Sequence, residues 1–139
     1  MENHGYQHYR EQQGQNIMGM GQNELLLLLY DELVKQLMRC DLAIGKQNYA
    51  LLDDAADRSI AILRYLDDTL DMKYPISREL HRLYDFFSYE MNRVKLGRNK
   101  EELDKIRPML TDLRDTFRTA SKNVAEGRGG PAAPTAAGG

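Results

Sequence analysis

The chain has 139 residues, enough for one domain with a substantial hydrophobic core. Its 19 basic and 21 acidic residues leave a net charge of −2, which does not favour general attraction to nucleic acid or anionic lipid. The single Cys40 cannot form an intrachain disulfide, and the longest apolar run, Leu25 to Tyr30, is far too short to span a membrane. The first 16 residues carry no apolar segment typical of a secretory signal, so we expect a cytoplasmic protein without membrane insertion.

The two ends of the sequence differ in composition from the middle. Residues 1–21 are rich in Gln, Gly and Asn without sustained periodicity, which predicts a flexible N-terminal arm. Residues 126–139 are mostly Gly, Ala and Pro, which predicts a disordered tail. The folded domain is therefore expected over residues 22–125.

Within that domain, apolar residues recur at alternating steps of three and four, the helical period. Four such rows follow one another, and each resembles the buried seam of a packed helix. Their members are Leu26, Tyr30, Leu33, Leu37, Cys40 and Ile44; Leu52, Ala56, Ser59, Leu63, Leu66 and Leu70; Leu80, Tyr84, Phe87, Met91 and Val94; and Leu103, Ile106, Leu110, Leu113, Phe117, Ala120 and Val124.

The residues between the seams predict where each helix begins and ends. Gly45 and Gly97 stand where the left-handed residue after a helix is expected. Signals for helix starts are Asn48, Pro75 and the pair Asn99 and Glu102, which resembles a capping box. Helices are thus predicted near 22–45, 48–72, 76–96 and 99–125. The short connections make neighbours antiparallel, so the predicted fold is an all-α, up-down-up-down four-helix bundle.

Pro108 conflicts with this pattern because it lies inside the fourth seam and lacks the amide hydrogen of a helical residue. The seam continues through it without a break in phase, so we predict a kinked helix. A separate short helix over 99–106 is the alternative.

No residue pattern typical of catalysis or of a bound metal or cofactor occurs in the sequence. His4 and His8 fall in the arm, and His81 lies one step off the third seam, so we expect His81 at the surface. Cys40 lies among core leucines, where a thiol is usually inert. We therefore expect neither an enzyme nor a metal or cofactor site.

Some apolar side chains fall outside the seams. At about 100° per residue, Leu25 and Leu28 point roughly 100° and 160° away from Leu26, and Tyr65 is also off its seam. We expect these three side chains, with Tyr6, Tyr9 and Ile17 of the arm, to contact a partner. The alternative is that the buried face of the helix is wide and that the arm covers these side chains. Both interpretations can hold if a partner displaces the arm.

The triplet Leu-Tyr-Asp occurs twice, as residues 29–31 (Leu29, Tyr30, Asp31) and 83–85 (Leu83, Tyr84, Asp85). Both tyrosines lie on seams, so their rings should pack in the core while each phenol reaches a polar partner. We interpret the triplets as structural motifs.

Four segments together resemble the FliS family of flagellin-specific export chaperones. They are NELLLLLYDELVKQLMRCDLAI, SIAILRYLDDTLD, ELHRLYDFFSYEM and MLTDLRDTFRTA, and the arm segment GYQHYR is similar to the family's N-terminal element. The sequence departs from the family where Gly19-Met20-Gly21-Gln22 replaces Thr-Ala-Ser-Pro before the first helix.

The resemblance implies a cytoplasmic chaperone that binds the disordered C-terminal region of flagellin and prevents its premature polymerisation. It also implies delivery to the flagellar type III export apparatus, with the export gate as a further partner of the chaperone–client complex. The alternative is a helical structural or regulatory module that forms homo-oligomers through its exposed leucines.

Overall fold

A computed structural model describes residues 21–125 of the chain. This part contains four helices: α1 (Gly21–Gly45), α2 (Tyr49–Asp68), α3 (Pro75–Gly97) and α4 (Lys100–Ala125). The predicted arm and tail lie outside the described residues, apart from Gly21, which is the first residue of α1. None of the described helices is both long and apolar enough to cross a membrane.

The four helices form the predicted bundle. Helix α1 packs against α2 and α4, and α3 packs against the same two helices from the opposite side. Short connections reverse the chain between successive helices, so sequence neighbours are antiparallel. The seam residues that the structure buries are Leu26, Tyr30, Leu33, Leu37, Cys40, Leu52, Ala56, Ser59, Leu63, Leu66, Tyr84, Phe87, Met91, Val94, Leu103, Ile106 and Leu110.

The predicted helix starts are confirmed. The Asn48 side chain accepts a hydrogen bond from the Leu51 amide at 3.1 Å, and Pro75 is the first residue of α3. Asn99 accepts from the amides of Glu101 and Glu102 at 3.0 and 3.4 Å. The Glu102 carboxylate does not complete a reciprocal capping box, because it forms ion pairs with Arg93 and Lys105 at 3.3 and 3.0 Å.

The predicted roles of the two glycines are wrong. Gly45 and Gly97 are the last helical residues of α1 and α3, and the left-handed positions belong to Gln47 (φ 55°) and Arg98 (φ 54°). After α1, the Gln47 amide donates to the Ile44 carbonyl at 3.1 Å and the Asn48 amide donates to the Ala43 carbonyl at 2.9 Å. These two bonds form a Schellman motif centred on Gln47. A glycine two residues earlier is therefore not needed for the turn.

Helix α2 ends at Asp68, four residues before the predicted boundary, and Leu70 lies outside it. The Thr69 hydroxyl donates to the Leu66 carbonyl at 2.7 Å, and the Asp71 carboxylate accepts from the Lys73 amide at 3.2 Å. Such local bonds compete with the helical pattern. Pro75 also requires an extended residue before it, and Tyr74 has ψ 132°.

Helix α4 continues through Pro108 from Lys100 to Ala125, so the alternative of a separate short helix is wrong. Pro108 is exposed, as is Asp104, whose carbonyl loses its amide partner. Water can therefore solvate that carbonyl, and the seam residues on either side, Ile106 and Leu110, remain buried.

The position of the Schellman motif leads to a testable prediction about Gly45. A Cβ added at Gly45 would meet no atom within 4 Å. Gly45→Ala should therefore stabilise the protein by about 0.5–1 kcal/mol, since alanine favours a helical position. Urea unfolding monitored by circular dichroism measures the change, with the left-handed Gln47 mutated to alanine as a matched control. A loss of stability in Gly45→Ala would show that Gly45 has the left-handed conformation.

Candidate binding groove

A groove lies between the first half of α1 and the second half of α2. Its volume is about 600 Å³. Most of the side chains that line it are apolar, and one acidic and one basic residue complete it. They are Leu25, Leu28, Leu29 and Glu32 on α1, and Arg58, Ala61 and Ile62 on α2. A half-open, largely apolar cleft of this size can accept side chains of another polypeptide.

The groove contains two of the residues predicted as partner contacts. Leu28 is 45% exposed, as expected for a leucine outside the core seam. The prediction that Leu25 is left outside the buried surface is wrong, because it is only 2% exposed. Leu25 is buried outside the core cluster, at the groove that α1 forms with α2. Leu25 therefore forms an inner wall of the groove.

The other predicted contacts lie near the groove or beyond the described chain. Tyr65 is half-buried and comes one turn after Ala61 and Ile62 on the same face of α2. Tyr6, Tyr9 and Ile17 lie outside the described residues.

Sequence reasoning missed the α2 wall, formed by Arg58, Ala61 and Ile62. The spacing of Arg58 and Ile62, four residues apart on one helical face, was present in the sequence. Nothing in that spacing indicated that this face of α2 would meet the extra leucines of α1.

The two Leu-Tyr-Asp triplets meet inside the bundle. The hydroxyl groups of Tyr30 and Tyr84 form a hydrogen bond with each other, and both rings are buried. This confirms the expectation that each phenol has a polar partner. Burial raises the pKa of Tyr30 to about 12, and burial with the nearby Tyr30 raises the pKa of Tyr84 well above its usual range. Both hydroxyls therefore remain protonated at neutral pH.

The remaining residues of the triplets pack or form ion pairs around this bond. Leu29 and Leu83 pack against the core cluster. Asp31 lies 2.9 Å from Arg118 and 3.6 Å from Arg114, and so connects α1 to α4. The triplets thus occupy structural positions, as their placement on seams predicted.

His81 is half-exposed, which confirms its predicted surface position. Its Nδ1 lies 2.7 Å from an Asp67 oxygen, and its Nε2 lies 3.4 Å from Asp85. The hydrogen bond to Asp67, with the negative charge of that residue, raises the His81 pKa above its usual value. Ligand atoms of these three residues lie within 4.8 Å of one another. The two carboxylates face different ring nitrogens, so the arrangement fits a protonated imidazole connecting α2 to α3 better than a shared metal ion.

Cys40 is fully buried, and burial raises the pKa of its thiol to about 12. The thiol therefore remains protonated at neutral pH and is a poor nucleophile. Its placement matches the expectation of an inert core residue.

A second apolar cleft of about 450 Å³ lies at the opposite end of the bundle, where α3 meets α4. Tyr89 and Leu96 line it and are 62% and 79% exposed. This cleft provides a comparison surface for tests of the groove.

The described residues form a four-helix bundle with a partly exposed, largely apolar groove between α1 and α2. The family model described as flagellar protein FliS matches residues 3–124, which is most of the chain. The chain therefore belongs to the FliS family of chaperones, which act in flagellum assembly. A comparison with curated proteins finds no match.

The bond between Tyr30 and Tyr84 leads to a prediction of strong coupling between these two positions. Tyr30→Phe or Tyr84→Phe leaves one buried hydroxyl without its partner, so each should destabilise the protein by about 1–3 kcal/mol. The double variant removes both polar groups and should cost clearly less than the sum of the two single changes. Urea unfolding of the four proteins measures the coupling. Additive effects would show that the two hydroxyls do not interact.

Proposed function

We propose that this protein binds the C-terminal segment of flagellin in the cytoplasm. It keeps that segment from polymerising before export and supports its delivery to the flagellar type III export apparatus. The proposal joins membership of the FliS family to one structural observation, the partly exposed apolar groove between α1 and α2.

The apolar surface extends beyond the groove along the outside of α1. Met38 and Leu42 are 55% and 51% exposed. At about 100° per residue they lie within about 80° of Leu28 around the helix, so the three side chains share the outward face. A client that is disordered alone can cover such a long surface, because it adapts its backbone as it binds.

The apolar surface of α1 and α2 can protect an apolar client segment from self-association. Flagellin segments with apolar side chains would associate with one another if left free in the cytoplasm. Covering those side chains on α1 and α2 removes apolar area from water, which is favourable at about 25 cal/mol per Å² before the cost of ordering the client. The protein needs no catalytic group for this role.

A charged residue placed in the groove tests the proposal. Leu28→Asp should weaken binding to the last ~50 residues of the host's flagellin, a length sufficient for a wrap-around interface, by about tenfold or more. Its unfolding temperature should change little, because Leu28 is 45% exposed and lies outside the core cluster. Calorimetric titration measures the affinity.

The matched control is Leu96→Asp, which alters an exposed leucine at the opposite end of the bundle. It should bind the flagellin segment as the unmodified protein does. Equal affinities for all three proteins would contradict the assignment of the groove. Absence of binding by the unmodified protein would contradict the proposed function itself.

A further inference from the structure

Two residues of opposite charge, Glu32 and Arg58, line the end of the groove nearest to the middle of the bundle, which we call its inner end. Glu32 is the last groove residue along α1, and Arg58 is the first along the antiparallel α2. The two residues are therefore at about the same level, one on each wall. Their ion-pair partners are other residues, Lys35 at 3.8 Å from Glu32 and Asp54 at 3.3 Å from Arg58, although both line the same cleft.

Each charge is held by a neighbour on its own helix. The Gln36 side-chain amide donates to Glu32 at 2.6 Å, and Asp54 lies 3.3 Å from Arg58. Glu32 and Arg58 are thereby kept on their separate walls, and the space between them remains open. Their side chains are 40% and 61% exposed, so both are accessible to a bound segment.

The next turn of α1 after Glu32 carries the polar residue Gln36. Gln36 is only 2% exposed, and it accepts a hydrogen bond from Arg39 at 3.0 Å. Arg39 in turn lies 4.0 Å from Asp54. A chain of polar side chains therefore runs from α1 to α2 beside Glu32 and Arg58.

We propose that Glu32 and Arg58 determine which client segment the groove accepts and in which direction it lies. This inference rests on the proposed function. The preferred segment carries apolar side chains followed by a basic residue on the α1 side and an acidic residue on the α2 side. Reversing the segment would move its charged pair to the other end of the groove and place apolar side chains beside Glu32 and Arg58, which is unfavourable.

The expected loss of affinity when one charge is removed depends on how far the bound client excludes water from Glu32 and Arg58. An exposed ion pair contributes little in water, but a client that covers the groove also lowers the local dielectric around these charges. Removing one charge should therefore weaken binding about three- to tenfold, less than the loss expected from the apolar contact at Leu28.

The test uses the full chain and the last ~50 residues of the host's flagellin as the probe. Glu32→Gln and Arg58→Gln remove each charge while retaining a polar side chain of similar size. Matched controls are Glu101→Gln and Arg64→Gln, at exposed positions that do not line the groove. Calorimetry at low and high salt gives the affinity and its salt dependence for each protein.

We expect the two groove variants to bind about three- to tenfold more weakly and to show a smaller salt dependence, while the controls match the unmodified protein. A structural effect alone would lower the unfolding temperature and leave the salt dependence unchanged. A further experiment measures the affinity of Glu32→Lys for flagellin segments in which single basic residues are changed to Glu. One such segment should recover the lost affinity.

The outcomes separate this inference from the proposed function. If the unmodified protein binds the segment and Leu28→Asp weakens it, but the two groove variants bind normally at both salt concentrations, only the role of the charges is wrong. If no segment recovers the affinity of Glu32→Lys, the directional role is wrong. If the unmodified protein does not bind, both proposals fail.

Discussion

Helix α1 carries more apolar surface than the centre of a four-helix bundle requires, and this excess shapes the rest of the molecule. One row of its side chains forms the core, and Leu33 and Leu37 are essentially inaccessible to water. Leu25 is also buried, but it lies outside the core cluster and lines the groove. Leu28 then has no helix left to cover it. The groove lies where this excess meets the exposed face of α2 that carries Arg58 and Ala61.

Contacts of the Leu-Tyr-Asp triplets connect α1 to the other helices of the bundle. The hydrogen bond between the Tyr30 and Tyr84 hydroxyls connects α1 to α3 across the centre of the bundle, between helices that are not packed as neighbours. The Tyr30 ring also lies 5.2 Å from that of Phe117, at 51°, which adds α4 to the contact. Ion pairs from Asp31 to Arg114 and Arg118 strengthen the same level of the bundle. The repeated triplets therefore position α1 while leaving its outward face free.

The fold could be predicted from sequence because helical periodicity and capping chemistry are local. Asn48 and Pro75 marked helix starts correctly, and the buried hydrophobic core residues lie on the four predicted seams except for Leu25, Ala43 and Ala55. Helix ends were harder, because several residue types can take the left-handed position. Gln47 and Arg98 do so here, one or two residues after the glycines that looked suited to it.

The groove was only half predictable for a different reason. Leu28 could be identified as an extra leucine from the geometry of one helix. The opposite wall at Ala61 and Ile62 depends on which face of α2 turns towards α1, a property of the packed bundle. The same is true of the level at which Glu32 meets Arg58. Sequence patterns on one helix do not contain that relative rotation.

The most direct test of the account follows the groove residues themselves during binding. Methyl groups of leucine and isoleucine can be observed by NMR in the full chain while the unlabelled C-terminal segment of flagellin is added. The account predicts that the largest changes occur at Leu28 and Ile62 and that Leu96, at the far end of the bundle, changes little. Saturating binding that shifts Leu96 and leaves Leu28 and Ile62 unchanged would contradict it.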